Sequence, residues 1–349
     1  MVALVIENPL SNTGVGRYSR YLIEFLEKNV IHYEIIDFTN SLNSRKVVKK
    51  GYGLKWFYYF AVWCGQREVL VLGDYKLLLF PTATPLSVLV RGNKIVAIHD
   101  LMHRFYNFNE VARLDIRLYR ESLYKSIARS NISIVLDSVV GAEHFARFYG
   151  DSNKKFIIPF YANLQKLDYP RSDLVSEKGL ENYLFYPAAF WAHKNHLNLV
   201  LGVKELVSRT NISFKVVFCG KPNDYMKRIC NLITDLNLEN YFLILDFVDD
   251  NELIELYRNS KGLIFPSYFG PTNIPPLEAI SLGVPIGVAD VFNPKLIYGE
   301  GILTFNPNSI QDIAEACRLL LCSENIYMGN TKGNKEKFEE LWLEVLNEN

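Results

Sequence analysis

The stretch "FPSYFGPTNIPPLEAISLGVPI", residues 265–286, opens as a buried strand, breaks at Gly270-Pro271-Thr272-Asn273, and restarts on two prolines followed by a glutamate. Proline lacks the N–H that has no partner in a helix's first turn, so Pro275 and Pro276 mark a helix start. The reading is strand, short polar turn, helix. In open α/β sheets ligands bind at that edge, outside the carboxyl ends of the strands. Gly270 lets backbone approach a ligand closely, and Thr272 and Asn273 supply short polar groups. Glu278 can accept two hydroxyl hydrogens from a ribose, or it can simply favour the helix dipole.

The same grammar recurs along the chain. Apolar runs such as "VALVIE", "KIVAIHD", "YLFYPAAF", "FKVVFCG" and "GLIFPS" alternate with helical-period stretches such as "VGRYSRYLIEFLEKN", "NHLNLVLGVKELVSRT" and "NELIELYRNS". Apolar strands without alternation, separated by helices, predict parallel sheets covered on both faces. The periodicity lapses at "YANLQKLDYPRSDLVSEKGLEN", residues 161–182, which reads as a linker. The expected fold is α/β, with two Rossmann-like, doubly wound domains presenting the carboxyl ends of their strands to a central cleft. The first spans 1–165 and the second 166–330, while the amphipathic helix in 331–349 packs back on the first.

Composition narrows the function classes. The 349 residues exceed what one core usually supports, and the 38 basic residues equal the 38 acidic ones, which argues against nucleic acid as a partner. Five cysteines without a CxxC pair suggest neither a disulfide framework nor a zinc site, so a reducing, cytoplasmic setting is expected. The first residues lack the flank and core of a secretory signal. The apolar run 54–64 is about half the roughly 20 residues needed to span a bilayer.

Three further segments hold candidates. In "NPLSNTGVGRYSRYL", 8–22, Gly14 and Gly16 precede a helix whose amides can hold an anion, or they simply allow a loop to turn into it. A dinucleotide fingerprint is excluded there, because Ser19 stands at the third glycine and the loop from Glu7 to Gly14 is too long. "KIVAIHDLMH", 94–103, brings His99 and Asp100 to a strand end, where His99 can move a proton or bind a sugar hydroxyl. A structural histidine and a helix-capping aspartate are the plainer readings, and His103 is read as structural. In "FYPAAFWAHKNHLNLV", 185–200, Lys194 and Asn195 fall at a strand-to-helix junction, where the lysine is placed to neutralise phosphate oxygens or is simply solvated. His193 and His196 lack the nearby acid or thiolate of a metal site.

Together, "GVGRYSRYL", "IHDLMH", "YPAAFWAHKNH" and the block 245–286 resemble glycosyltransferase family 4, in the right order from about residue 8 to residue 320. The resemblance implies a GT-B fold and a retaining glycosyltransferase that needs no metal or other cofactor. It moves a sugar from a nucleotide-sugar donor to a saccharide or lipid-linked saccharide in cell-surface polysaccharide synthesis. By position, Glu278 matches the family's ribose-binding glutamate and Lys194 the lysine on the donor diphosphate. His99 matches the histidine near the transferred sugar and acceptor, with Asp100 beside it. Gly14 and Gly16 match the loop that closes on phosphates or acceptor. Donor contacts are expected from Gly14, Gly16, Lys194, Asn195, Gly270, Thr272, Asn273, Ile274 and Glu278. A second family glutamate falls here on Gly270, and the arginine that partners the lysine falls on Ala189. The variant turn points to altered sugar preference. Alternatives are a nucleotide-sugar 2-epimerase on the same fold and a catalytically silent nucleotide-sugar or glycan binder.

One stretch remains. In 45–63, Arg45, Lys46, Lys49, Lys50 and Lys55 stand beside Trp56, Phe57, Tyr58, Phe60 and Trp63. That mixture suits peripheral docking on an anionic membrane surface, as it suits a core helix next to a solvated basic loop.

Overall fold

The computed structural model describes residues 1–6, 14–37, 58–62, 64–108, 113–162, 164, 173–246, 248–322, 327–331 and 333–348. The chain forms two compact units, Met1–Phe160 with Lys335–Asn349, and Tyr161–Asn334. The divisions thus fall after Phe160 and Asn334, where the sequence reading set them at 165 and 330. Phe160 stays with the first unit because its ring packs on Tyr18 and His99, with centroids 4.9 and 5.5 Å away.

In the first unit the strands are β1 (Val2–Ile6), β2 (Tyr33–Asp37), β3 (Leu77–Phe80), β4 (Lys94–Ile98), β5 (Ser133–Leu136) and β6 (Lys155–Ile157). Its helices are α1 (Gly14–Lys28), α2 (Pro85–Leu89), α3 (Met102–Phe105), α4 (Leu114–Ala128) and α5 (Val139–Tyr149). All strand pairs are parallel, in the order β2-β1-β3-β4-β5-β6. Burial follows position in the sheet. Every residue of β1 and β4 is buried, whereas the edge strands β2 and β6 have none fully buried. Central strands covered on both faces must be apolar throughout, which is why they read as unbroken apolar runs.

The second unit holds β7 (Tyr183–Pro187), β8 (Lys215–Cys219), β9 (Phe242–Leu245), β10 (Gly262–Phe265), β11 (Ile286–Ala289) and β12 (Leu303–Phe305). Its helices are α6 (Leu174–Glu177), α7 (His196–Arg209), α8 (Asp224–Asp235), α9 (Asp250–Arg258), α10 (Ile274–Ser281), α11 (Lys295–Tyr298) and α12 (Ile310–Cys322). The sheet is again parallel, in the order β12-β11-β10-β7-β8-β9. Local chemistry sets the helix starts. Asn223 caps α8 through Met226 N–H at 2.9 Å, and Asp249 with Glu252 forms a capping box on α9.

The last helix, α13 (Asn334–Glu348), belongs to the first unit from Lys335 onward. Phe338, Trp342 and Val345 lie on one helical face and are buried, with the Phe338 ring edge-on to Tyr18 and Phe25 at 6.4 and 6.2 Å. Among the described residues no helix is long and apolar enough to cross a membrane. The stretch 38–57, with Arg45, Lys46, Lys49, Lys50, Lys55, Trp56 and Phe57, and also Trp63, lies outside the described residues. Of its aromatic neighbours, Tyr58 is fully buried and Phe60 is 60% exposed.

Candidate functional site

In each sheet the strand order reverses direction once, between β1 and β3 in the first unit and between β7 and β10 in the second. Such switch points open a crevice, because the two following chain segments leave in opposite directions. Lys194 follows β7 and the turn 266–273 follows β10, so the second unit's main candidates meet at its switch point.

The junction after β7 is tightly determined. A single 3-10 turn, Ala192–Lys194, leads to Asn195, whose φ of 61° lies in the left-handed region that Asn tolerates. The Asn195 side chain is 2% exposed and donates to the carbonyls of Pro266 at 3.1 Å and Pro307 at 2.9 Å. Asn195, expected on the donor, therefore works through its carboxamide as a brace between the two segments. Tyr186 Oη donates to the Lys194 carbonyl at 2.5 Å, and Tyr268 N–H donates to the His193 carbonyl at 2.9 Å. With its backbone held, Lys194 reaches across: Nζ donates to Asn273 Oδ1 at 3.0 Å and lies 5.2 Å from the Phe265 ring centroid. Ala189, at the place of the family arginine, is exposed at the end of the same strand.

In the turn after β10, Gly270 has a φ of +116°, and a Cβ there would lie 2.5 Å from Asn273 Nδ2. The turn requires glycine on both counts. Thr272 Oγ1 is buried with no hydrogen-bond partner among the described residues. Ile274 is the first residue of α10, half-buried, and Glu278 is 1% exposed one turn further on. Glu278 Oε2 accepts from Tyr257 Oη at 2.8 Å. A small pocket beside the turn is lined by Phe265, Ser267, Gly270, Asn273, Pro276 and Tyr298, among others. Pro275 and Pro276 start the helix but also remove two of the first-turn N–H groups, which leaves Ile274 and Leu277 as its amides.

In the first unit, His99 leaves β4 and its Nε2 lies 2.6 Å from the Pro81 carbonyl oxygen. A carbonyl only accepts, so Nε2 carries the proton and Nδ1 is the acceptor nitrogen. Burial lowers the His99 pKa, a shift that the Pro81 bond and the nearby Asp100 only partly oppose. Asp100 is turned elsewhere: Oδ1 accepts from Arg120 at 2.6 Å and from Met102 N–H at 2.9 Å. Burial raises its pKa, but Arg120 and the Met102 N–H outweigh it and hold the carboxyl below its usual value. Asp100, expected on the acceptor side, is thus committed to an ion pair and the start of α3. His103 is buried with Nε2 3.1 Å from Glu121 and 3.0 Å from Tyr149 Oη. Gly14 is exposed at the first position of α1 and Gly16 is buried in its first turn, while residues 7–13 lie outside the described residues.

His196, three positions after His193, is fully buried. Among the described residues no group of three or more His, Cys, Asp and Glu side chains is placed to hold a metal ion. Its ring stacks on Phe190 at 4.5 Å, and burial, with Lys194 as a lesser influence, pushes its pKa down to about 3.

Residues 173–337, which contain this second edge, match the family model described as glycosyl transferases group 1. The O-antigen chain mannosyltransferase RfbU of Salmonella typhimurium is 24% identical over 290 residues, covering 83% of this chain and 76% of that protein. The O-antigen chain mannosyltransferase B of Escherichia coli is 24% identical over 134 residues, 38% of this chain and only 35% of that one. Sucrose-phosphate synthase from Thermosynechococcus elongatus superposes with a TM-score of 0.75 at 17% identity, over 99% of this chain and 96% of that one. HepE from Anabaena, in complex with UDP and glucose, gives a TM-score of 0.71 at 14% identity, over 100% and 99% of the two chains. This chain is a glycosyltransferase of the two-domain GT-B fold.

Several groups that hold these candidate residues in the glycosyltransferase are invisible to sequence reasoning. Tyr257, on α9, holds Glu278, and Tyr298, on α11, holds Asn273 through its backbone N–H at 2.7 Å. Arg120 holds Asp100. Each lies about twenty or more residues from its partner and reads as an ordinary core aromatic or a helix-surface charge. Chemically, the second edge offers an ammonium, two first-turn amides, an unpartnered buried hydroxyl and a buried carboxylate. That set suits a ligand with both anionic oxygens and neutral hydroxyls.

Proposed function

We propose that this glycosyltransferase transfers a sugar, with retention of configuration, from a nucleotide-sugar donor held by the second unit. The acceptor is a saccharide or lipid-linked saccharide, in cell-surface polysaccharide synthesis. The observation that carries the reading is the Lys194–Asn273 bond, which joins the two chain segments at the second sheet's switch point. The O-antigen mannosyltransferases and the UDP-bound neighbour support the substrate classes.

As the bond from sugar to diphosphate breaks, negative charge grows on the leaving phosphate. Lys194, with the amides of Ile274 and Leu277, stabilises that charge more than it stabilises the bound donor, which is the condition for acceleration. With two amides lost to proline, the ammonium takes the larger share, and no metal is required. Glu278 binds the ribose hydroxyls, Thr272 Oγ1 donates to the sugar, and His99 Nδ1 accepts from the acceptor hydroxyl. The basic residues of 45–55 and the exposed Phe60 are assigned to an anionic membrane surface, while the buried Tyr58 belongs to the core.

The test is incubation with labelled UDP-, GDP- and dTDP-sugars, with and without chelator, and chiral analysis of the product. Transfer that survives chelation and retains the anomeric configuration is expected. Epimer formation without any acceptor, or strict dependence on a divalent ion, would overturn the reading. Flotation with anionic vesicles at low salt tests the membrane contact, and absence of binding there removes it.

A further inference from the structure

The glycine at position 270 and the asparagine at 273 are sterically exclusive partners. The Asn273 side chain folds back over Gly270, with Nδ2 donating to the Gly270 carbonyl at 2.9 Å and to the Phe269 carbonyl at 3.4 Å. A Cβ on residue 270 would lie 2.5 Å from Nδ2, 2.6 Å from Oδ1 and 2.8 Å from Cγ of the same carboxamide. The carboxamide therefore stands where a longer side chain at 270 would begin. Its remaining acceptor, Oδ1, receives the Lys194 ammonium at 3.0 Å.

The backbone of Asn273 is fixed independently. Tyr298 is 2% exposed, and its hydroxyl accepts from Asn273 N–H at 2.7 Å and sits 3.3 Å from the Asn273 carbonyl, to which it donates. One phenol thus clamps both polar backbone groups of the residue that holds the lysine. Fixing the backbone and spending both amide hydrogens locally leaves the carboxamide one orientation, with its oxygen toward Lys194.

We propose that Asn273 is a positioning residue for Lys194: a tether, itself uncharged, that holds the ammonium at the turn, with Tyr298 as its anchor and Gly270 as the space it needs. The inference rests on the reading of Lys194 as the diphosphate-binding group. An uncharged tether orients the ammonium without adding a carboxylate that competes with the ligand for it. A Gly270→Glu change would leave no room for the tether, so the variant turn acts as a unit.

The experiment is a double-mutant cycle on nucleoside diphosphate binding, measured calorimetrically with UDP and GDP as probes. Asn273→Ala should weaken binding of whichever diphosphate the native protein prefers by about tenfold, the scale of a hydrogen bond to a charged group. In a Lys194→Ala background the same change should have almost no effect, because Asn273 acts through the lysine. Asn273→Asp, of nearly the same shape, should weaken binding as well, and more steeply at low salt than at high salt. Tyr298→Phe should show a milder form of the Asn273→Ala defect, again absent once Lys194 is gone. Equal losses in both backgrounds would overturn the tether while leaving the diphosphate site intact. If neither probe binds the native protein at millimolar concentration, the site reading fails, and the tether with it. Because Lys194→Ala leaves Asn273 in place, the comparison stands even if Asn273→Ala folds poorly, with Asn273→Asp as the second arm.

Discussion

The two strand edges of this glycosyltransferase use their polar residues in opposite ways. At the second sheet's switch point, candidates far apart in sequence converge: Lys194 bonds Asn273, and Glu278 lies buried one turn into the helix that Asn273 begins. At the first sheet, neighbours diverge: His99 bonds the Pro81 carbonyl and Asp100, the next residue, pairs with Arg120. Adjacency in sequence is thus a poor guide to shared chemistry just past a strand end, where each side chain bonds to a different segment of the chain. Sharing a switch point is a better one.

The largest expected effect would break this contrast outright. Lys194→Ala should lower the transfer rate by roughly 10²–10³, the loss seen when one preorganised donor to developing negative charge is removed. An unimpaired rate with labelled donor would make the second edge as structural as Asp100.

Next comes acid stability, which sharpens the contrast between His196 and His99. Both are pushed down by burial, His196 to about 3. The unfolded chain takes up the proton near pH 6.5 and the native site does not, so stability is full above that pH and is lost as the pH falls toward the native value. For His196 alone the loss should reach roughly 3 kcal/mol by pH 4. His196→Phe, matching the rings around it, should flatten the acid limb of Tm against pH, whereas His99→Gln should leave most of it.

Smaller still is Asp100→Ala. It should cost about 2 kcal/mol of stability in denaturant titration, because it leaves the half-buried Arg120 without its carboxylate. Donor KM should stay unchanged, and a large rise would return Asp100 to the binding machinery. The smallest effect is Tyr257→Phe, which removes one hydrogen bond from Glu278. Donor affinity should fall by a few fold, about 1 kcal/mol, with kcat nearly constant. An equal drop in kcat and kcat/KM would instead place Tyr257 in the rate-limiting step.

The apolar runs announced the central strands such as β1, β4, β7 and β10, since a strand buried on both faces has almost no freedom to be polar. The prolines before Glu278 announced the start of α10 for an equally local reason. Lys194, Thr272 and Glu278 were legible as candidates because they stand at strand-to-helix junctions. Asn195 and Asp100 were legible too, but their employment was not: nothing near Asn195 in sequence signals that Pro307 will need its amide.

What the sequence by itself determined was therefore the alternation of strand and helix, the parallel sheets, and which junctions carry polar groups, because these follow from local periodicity and backbone restriction. Only the tertiary structure decided which of those groups meet. Lys194 and Asn273 are 79 positions apart, and Tyr257 and Glu278 are 21. Their pairing depends on the order in which strands take their places in the sheet, and that order is set by packing across the whole domain, with no single stretch encoding it.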